Sequence, residues 1–319
     1  MIDGILRPTP SGCKLRALMQ SKRVVVLCVM AVVAFSTAQP GAQRRGGAPP
    51  GGPGGPGRGG RGGASAIERL TVHGKALEGN SQGDSPDRAV TVYLPPSYAG
   101  DQNRRFPTVY MLHGQGGTES TFLETAALQQ SGDRLAAAQG FSEFIVVMPN
   151  ATGLKGTTYS ANWERFVAEE LVPYIDSHYR TLAHRMSRGL AGHDAGASAA
   201  LAIGMRHPEL FADLYAMSPS GGAIPAELDK LAANLNAFYA IAIDIGRADP
   251  AVESNRQLHA AMTKLRIAHT FEEYDGDHSN RLRERIEWNV LPYFARNLAA
   301  PANLTSPSAA ADRLASPSR

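Results

Sequence analysis

Gly192-His193-Asp194-Ala195-Gly196 follows the short apolar run Arg188-Gly189-Leu190-Ala191 and opens a small-residue stretch through Ala199, Ala200 and Leu201. Read locally, this is a strand that turns sharply into a helix. Glycine two residues either side of a central residue permits a strained turn that pushes the middle side chain out above the strand ends, which is how a nucleophile is presented. The middle residue here is Asp194. The pattern is short, and its weight comes from its place between a strand and a helix.

The surrounding sequence alternates in the same way. Apolar or β-branched runs at 88–94, 108–112, 144–148, 189–191, 214–217, 238–243 and 270–274 read as strands. Stretches at 163–179, 195–207, 252–265 and 281–298 carry apolar residues three and four apart and read as helices. This alternation predicts an α/β fold with a mostly parallel sheet and helices on both faces. Ligands in such folds bind at the carboxyl ends of the strands, so the turns that follow strands are where chemistry is sought.

Three further turns fit that rule. Asp249 lies in Gly246-Arg247-Ala248-Asp249, and His278 in Asp275-Gly276-Asp277-His278, each after a strand. With Asp194 they follow the order nucleophile, acid, histidine. Leu112-His113-Gly114-Gln115-Gly116-Gly117 is a glycine-rich turn whose backbone can help hold an oxyanion, with Gln115 and Ala195 as the N–H donors. Plainer readings stand beside these. Asp249 before Pro250 also suits a helix cap. His278 alone would be a loop histidine, and His113 and His193 suit turn geometry. Tyr159 and Trp163 either line a substrate cleft or pack. His73, His184, His259 and His269 show no ligand spacing, so neither a metal nor another cofactor is expected.

The segment Tyr93-Leu94-Pro95-Pro96-Ser97-Tyr98, the turn Leu112-His113-Gly114, Trp163 with Glu170-Leu171 and Pro173-Tyr174-Ile175, and Gly192 through His207-Pro208-Glu209-Leu210-Phe211 together resemble the Putative esterase family. That family includes S-formylglutathione hydrolases (esterase D), feruloyl and enterobactin esterases and mycolyltransferases. The likeness covers about Arg88 to Phe294. It implies an α/β-hydrolase fold of about eight strands, ester chemistry, His278 as base and Asp249 as its orienting acid. The family places serine where this chain has Asp194; Ser198, one helical turn on, is badly placed to replace it.

A carboxylate beside His278 and the oxyanion donors would form an ion pair with a protonated imidazole. That hinders acyl transfer, since histidine cannot begin by removing a proton and the product would be a mixed anhydride. It does not hinder displacement at an alkyl carbon, which needs only a bare carboxylate. Epoxide hydrolases and haloalkane dehalogenases of the same fold work in this way, and His193-Asp194 before a small residue resembles the epoxide hydrolase motif. Those enzymes carry a cap domain late in the sheet, and the roughly 20 residues from Ser220 to Tyr239 leave no room for one. Three readings follow: a hydrolase of an ester or related small substrate acting through Asp194, His278 and Asp249, with Asp194 or His278 alternatively serving as base toward water; an aspartate-nucleophile hydrolase of epoxide or alkyl halide type; and a catalytically silent fold that binds a ligand or polymer.

The termini read differently. Lys22-Arg23, the apolar run Val24 to Phe35 and the small residues Ser36 and Ala38 form a secretory signal spanning residues 1–38. A run of 12 residues is short against the roughly 20 of a membrane span. Residues 39–64, rich in Gly, Pro and Arg, and 301–319, rich in Ala, Ser and Pro, read as disordered linker and tail around a domain at 65–300. The chain's net charge of +3 divides into +4 on 1–38, +4 on 39–64 and −5 on the rest. The domain itself is therefore acidic, which argues against a nucleic-acid partner. Both cysteines, Cys13 and Cys28, lie in the signal, so the mature chain is expected to lack thiol chemistry and to suit a secreted or periplasmic location. The expected partner is a small or polymer-linked ester, with no stable membrane insertion after cleavage.

Overall fold

The computed structural model describes residues 63–157, 159–221 and 227–298. The expected signal, tail and nearly all of the linker lie outside the described residues. The chain divides into Met1–Arg58, none of which is described, and Gly59–Arg319, to which everything below belongs.

Eight strands form one sheet: β1 (Ala66–His73), β2 (Asp87–Leu94), β3 (Thr108–Leu112), β4 (Ile145–Pro149), β5 (Arg188–His193), β6 (Asp213–Met217), β7 (Ala240–Gly246) and β8 (Thr270–Tyr274), in the order β1-β2-β4-β3-β5-β6-β7-β8. The β1–β2 and β2–β4 pairings are antiparallel, and the rest are parallel. The expected α/β-hydrolase architecture is therefore present. Central strands are buried on both faces, as parallel sheets require. Period-two alternation sends Tyr110, Leu112, Ile145 and Val147 into one core and Val109, Met111, Val146 and Met148 into the other.

Helices close both faces. We label them α1 (Leu128–Ala136), α2 (161–178, with a π-helical segment at Phe166–Leu171), α3 (Ala195–Arg206), α4 (Leu228–Asn236), α5 (Val252–Lys264) and α6 (282–297, with a π-helical segment at Ile286–Val290). Residues of α2, α3 and α5 fill the first core through Phe166, Leu171, Leu201, Met205, Leu258 and Met262. Residues of α1 and α6 fill the second through Leu128, Ile286, Val290 and Phe294. Among the described residues no helix is long and apolar enough to cross a membrane.

Four elements differ from the sequence reading. β1 was not anticipated, because Glu68 and Arg69 break its apolar pattern at an exposed edge. α1 and α4 are short, and each buries few side chains. β7 runs from Ala240 to Gly246, beyond the expected end at Ile243, because the fully buried Asp244 interrupts the apolar run while pairing with Arg285 of α6.

Candidate active site

Asp194 is the hinge between β5 and α3, with φ 57 and ψ −121. A non-glycine residue at positive φ is strained and is held there only by its surroundings. Asp194 N donates to Met217 O at 3.0 Å, tying the turn to β6. The flanking glycines are needed for space: a Cβ on Gly192 would run into the Gly196 carbonyl, and one on Gly196 would run into the Leu112 carbonyl. Small residues here let the helix start directly above the β3 turn.

Asp249 and His278 come to the same place from the ends of β7 and β8. Asp249 is buried; its Oδ1 accepts from Ala251 N at 2.8 Å and its Oδ2 from His278 Nδ1 at 2.8 Å. It therefore closes the turn before α5 and orients the imidazole at once, but it is not the helix cap, a position Ala251 holds without a side-chain bond. The His278 loop is fastened by Asp277, whose Oδ1 accepts from Ser279 N at 2.9 Å and Asn280 N at 2.8 Å. His278 Nε2 faces Asp194 Oδ1 at 3.4 Å, an ion-pair distance too long for a strong hydrogen bond.

One of the two expected oxyanion donors, Gln115 N, is directed at Asp194 itself. Gln115 N donates to Asp194 Oδ2 at 2.7 Å; Ala195 N and the Ser220 side chain lie near enough to favour the ionised carboxylate. Burial alone would raise the Asp194 pKa; His278, Gln115, Ser220 and Ala195 overcome it and hold the acid well below the usual carboxylate range. The His278 imidazole is pushed up to about 9, chiefly by Asp194 against the opposing effect of burial, with Asp249 adding to it. At neutral pH the pair is an anion and an imidazolium.

The Gln115 turn has its own supports. His113 is buried; its Nδ1 donates to Gly114 O at 2.8 Å, and its Nε2 accepts from Ala151 N at 2.9 Å. Tyr159 donates its hydroxyl to His113 O at 2.9 Å. A cavity of about 470 Å³ opens beside Tyr159, lined by Ala161 and Glu164 of α2 and by Ala199, Ala202, Ile203 and Arg206 on one face of α3. Trp163 is 2% exposed, stacked edge-on between Tyr159 and Phe166 in the core. Of the two aromatic residues considered for a cleft, Tyr159 borders this cavity and Trp163 packs behind it.

Two residues beside the carboxylate were missed by sequence reasoning. His193 Nε2 donates to His278 O at 3.0 Å, and burial together with the nearby Arg285 charge pushes this imidazole down to about 4. Ser220 follows β6, in Ser218-Pro219-Ser220-Gly221, and its carbonyl accepts from the Ser198 hydroxyl at 2.7 Å. The signal for His193 was its place inside the elbow. For Ser220 it was a polar turn after a strand that neighbours β5. Ser198 thus holds the Ser220 turn, and its hydroxyl is committed there. His259 and His269, scattered in sequence, meet at 2.8 Å. Among the described residues no group of three or more metal-ligating side chains assembles.

With this geometry in view, likeness to known proteins becomes informative. Residues 81–291 match the Putative esterase family. An endo-1,4-beta-xylanase/feruloyl esterase of Xylanibacter ruminicola is 27% identical over 157 residues, 46% of this chain and 22% of that protein. An esterase of Mycobacterium tuberculosis is 33% identical over 141 residues, 42% of this chain and 29% of that one. The chain thus aligns with less than a third of either relative's length. Among solved structures, a ferulic acid esterase superposes with a TM-score of 0.64 at 27% identity, covering 73% of this chain and 98% of that one. An S-formylglutathione hydrolase from Staphylococcus aureus gives 0.59 at 16% identity, covering 74% and 98%, which speaks for the fold alone.

Proposed function

The chain belongs to the Putative esterase family, and from that premise we propose that it is an exported hydrolase of an ester or related small substrate in which Asp194 is the nucleophile. The observation that supports this is the division of labour within one carboxylate: Oδ2 takes the Gln115 N–H at 2.7 Å while Oδ1 stands 3.4 Å from His278. Oδ1 attacks a saturated carbon, the bond from that carbon to the leaving group breaks with its electron pair, and Oδ1 becomes part of a neutral aspartyl ester. Losing its anionic partner lowers the affinity of His278 for its proton, and the imidazole, oriented by Asp249, then removes a proton from water. Water adds to Cγ of Asp194, and the negative charge appears on Oδ2, where Gln115 N–H already points. The donor thus serves the enzyme's own carboxylate in the second half of the reaction.

The test is a panel of esters, epoxides and haloalkanes offered to the wild type and to Asp194→Ala. Turnover lost in the variant supports the nucleophile, and turnover unchanged removes it. One observation favours a second reading: with the Gln115 N–H engaged by Asp194, an oxyanion donor is taken before any acyl transfer begins, as in a silent fold that binds a ligand in the old cleft. Saturable binding of a panel ester without turnover by the wild type would establish that reading.

A further inference from the structure

The turn that presents the Gln115 N–H is made of residues that cannot hold themselves still. Gly114, Gly116 and Gly117 have no side chain to pack, and Gly116 sits at φ 71, in the left-handed region that glycine adopts freely. A donor aimed at one carboxylate oxygen therefore needs its peptide fixed from outside the turn.

The Gly114–Gln115 peptide is held by its carbonyl. Gly114 O accepts from His113 Nδ1 at 2.8 Å and from Gly117 N at 3.1 Å. A trans peptide is planar, so the N–H at its other end is directed the opposite way, onto Asp194 Oδ2. The next peptide, Gln115–Gly116, is held by a different element. A short hairpin pairs Thr152–Gly153 with Gly156–Thr157, and Gly116 N donates to the Thr157 hydroxyl at 3.0 Å. The direction of the remaining bonds follows from counting hydrogens, since each hydroxyl has one to give. Thr152 gives its own to Gly117 O at 2.6 Å, so in the 2.8 Å contact between the two hydroxyls Thr157 is the donor. Gly114 O, 3.4 Å from Thr157 Oγ1, is the poorer acceptor of the two within its reach. The bonds thus leave the turn at Gly116 N, pass through Thr157 and Thr152, and return at Gly117 O, each link polarising the next.

The hairpin is itself anchored away from Asp194. Leu154 N donates to Asp84 Oδ1 at 2.7 Å and Arg88 donates to Thr152 O at 3.2 Å, and the Asp84 and Arg88 side chains are each 8% exposed. We propose that Thr157 and Thr152 are positioning residues whose hydroxyl chain fixes the peptides around Gln115 so that its N–H meets the elbow residue. Both act through the turn and not on a reacting atom. The proposal goes beyond the choice of nucleophile, because the same N–H is placed whether it serves Asp194 or a substrate oxygen.

Proton–nitrogen NMR of the full chain tests this through the Gln115 backbone amide, whose proton lies downfield while it is bonded to a carboxylate. Asp194→Ala marks its position once that bond is gone. In Thr157→Val, which keeps the side chain's shape and removes the hydroxyl, the signal should move toward the Asp194→Ala position and exchange with solvent roughly 2- to 10-fold faster, the worth of one neutral hydrogen bond. Thr157→Ser should restore both. The Ala151 amide, which donates to His113 Nε2 at 2.9 Å, should stay in place throughout. An unmoved Gln115 signal in Thr157→Val overturns the proposal. So does an Ala151 signal that moves with it, since the loss is then of the fold around the turn, and so does a Thr157→Ser variant that restores neither reading. Where Thr157→Val does not fold, Thr152→Val interrupts the same chain at its next link and is read in the same way; failure of both to fold makes the pair structural and overturns the proposal. These signals need no turnover, so inactivity toward every ester, epoxide and haloalkane of the panel would count against Asp194 as nucleophile and leave this test untouched.

Discussion

Two acid–base pairs lie close together in this molecule and are built for opposite ends. Arg285 and Asp244 are 3% and 1% exposed, and further bonds hold the pair: Tyr215 donates to Asp244 Oδ2 at 3.0 Å, and Arg285 reaches Ser218 Oγ at 3.2 Å. His278 and Asp194 are 30% and 14% exposed, stand 3.4 Å apart, and open toward the strand ends. The first pair joins β7 to α6 with a cation that does not titrate in the working range. The second joins two turns with a cation that does. Burial and bond count, rather than charge, separate a pair that holds the fold from one that can change state during a reaction.

The sharpest way to break that comparison is to remove the anion from the open pair. Asp194→Ser shortens the side chain, vacates the Gln115 N–H, and returns His278 toward a neutral base beside a hydroxyl. We expect p-nitrophenyl acetate hydrolysis to rise by about 10² to 10⁴, the usual contribution of a positioned base, while any displacement at alkyl carbon is lost. A rate no higher than that of Asp194→Ala would mean that the turn does not present a working nucleophile.

Stability should answer the other way round. Arg285→Ala leaves Asp244 as an uncompensated buried charge, which costs about 3–5 kcal/mol, or a melting-temperature drop of roughly 6–20 °C for a domain of this size. His278→Ala removes a partly exposed, solvent-screened partner and should cost less than about 1 kcal/mol. Thermal unfolding of the two variants side by side checks this; equal losses would erase the distinction between the pairs.

The same contrast shows what the sequence made legible. The elbow, the Asp249 turn and the His278 turn were readable because strained turns and strand-end polar residues leave local signatures, and the core strands because their apolar runs are unbroken. The Arg285–Asp244 pair was not readable: its members are 41 positions apart, and Asp244 looked like the end of a strand rather than its buried middle. Trp163 was legible as an aromatic near the site but not as core, since the choice depends on Tyr159 lying over it. Gln115 was expected as an N–H donor at the site, but not that Asp194 would itself engage it. A local pattern specifies where a side chain emerges, and only tertiary packing decides what it meets.

Titration of the open pair sharpens the comparison further. The His278 pKa is raised from 6.5 to about 9, so its share of the pair's stabilisation is complete below 6.5 and is lost as pH rises through 9. Asp194 is depressed, so its share is present above the ordinary value of 3.8 and is lost on acidification through its folded value. The pair should therefore stabilise the fold fully between about pH 4 and 6.5. Ring-proton NMR should find His278 titrating near 9 in the wild type and shifting toward 6.5 in Asp194→Asn, since Asp194 is the largest raising influence. An unchanged midpoint in that variant would assign the shift to Asp249 instead.

The smallest effect belongs to the histidine that links the two pairs. His193 sits with its ring centroid 5.2 Å from that of His278 and donates Nε2–H to the His278 carbonyl, while the Arg285 charge behind it helps to keep it neutral. It touches no reacting atom and acts by fixing the backbone that carries the base. His193→Phe keeps a ring and loses the donor; a neutral hydrogen bond is worth about 0.5–1.5 kcal/mol, so turnover should fall roughly 2- to 10-fold. His193→Gln restores an N–H on a side chain of similar reach and should recover most of the loss. The discriminating measurement is the His278 ring signal: in His193→Phe it should broaden as the loop samples more than one position, and in His193→Gln it should sharpen again. A drop in melting temperature shared by both variants with no change in that signal would make His193 a packing residue, and the elbow's hold on its base would then reside in Asp194 and Asp249 alone.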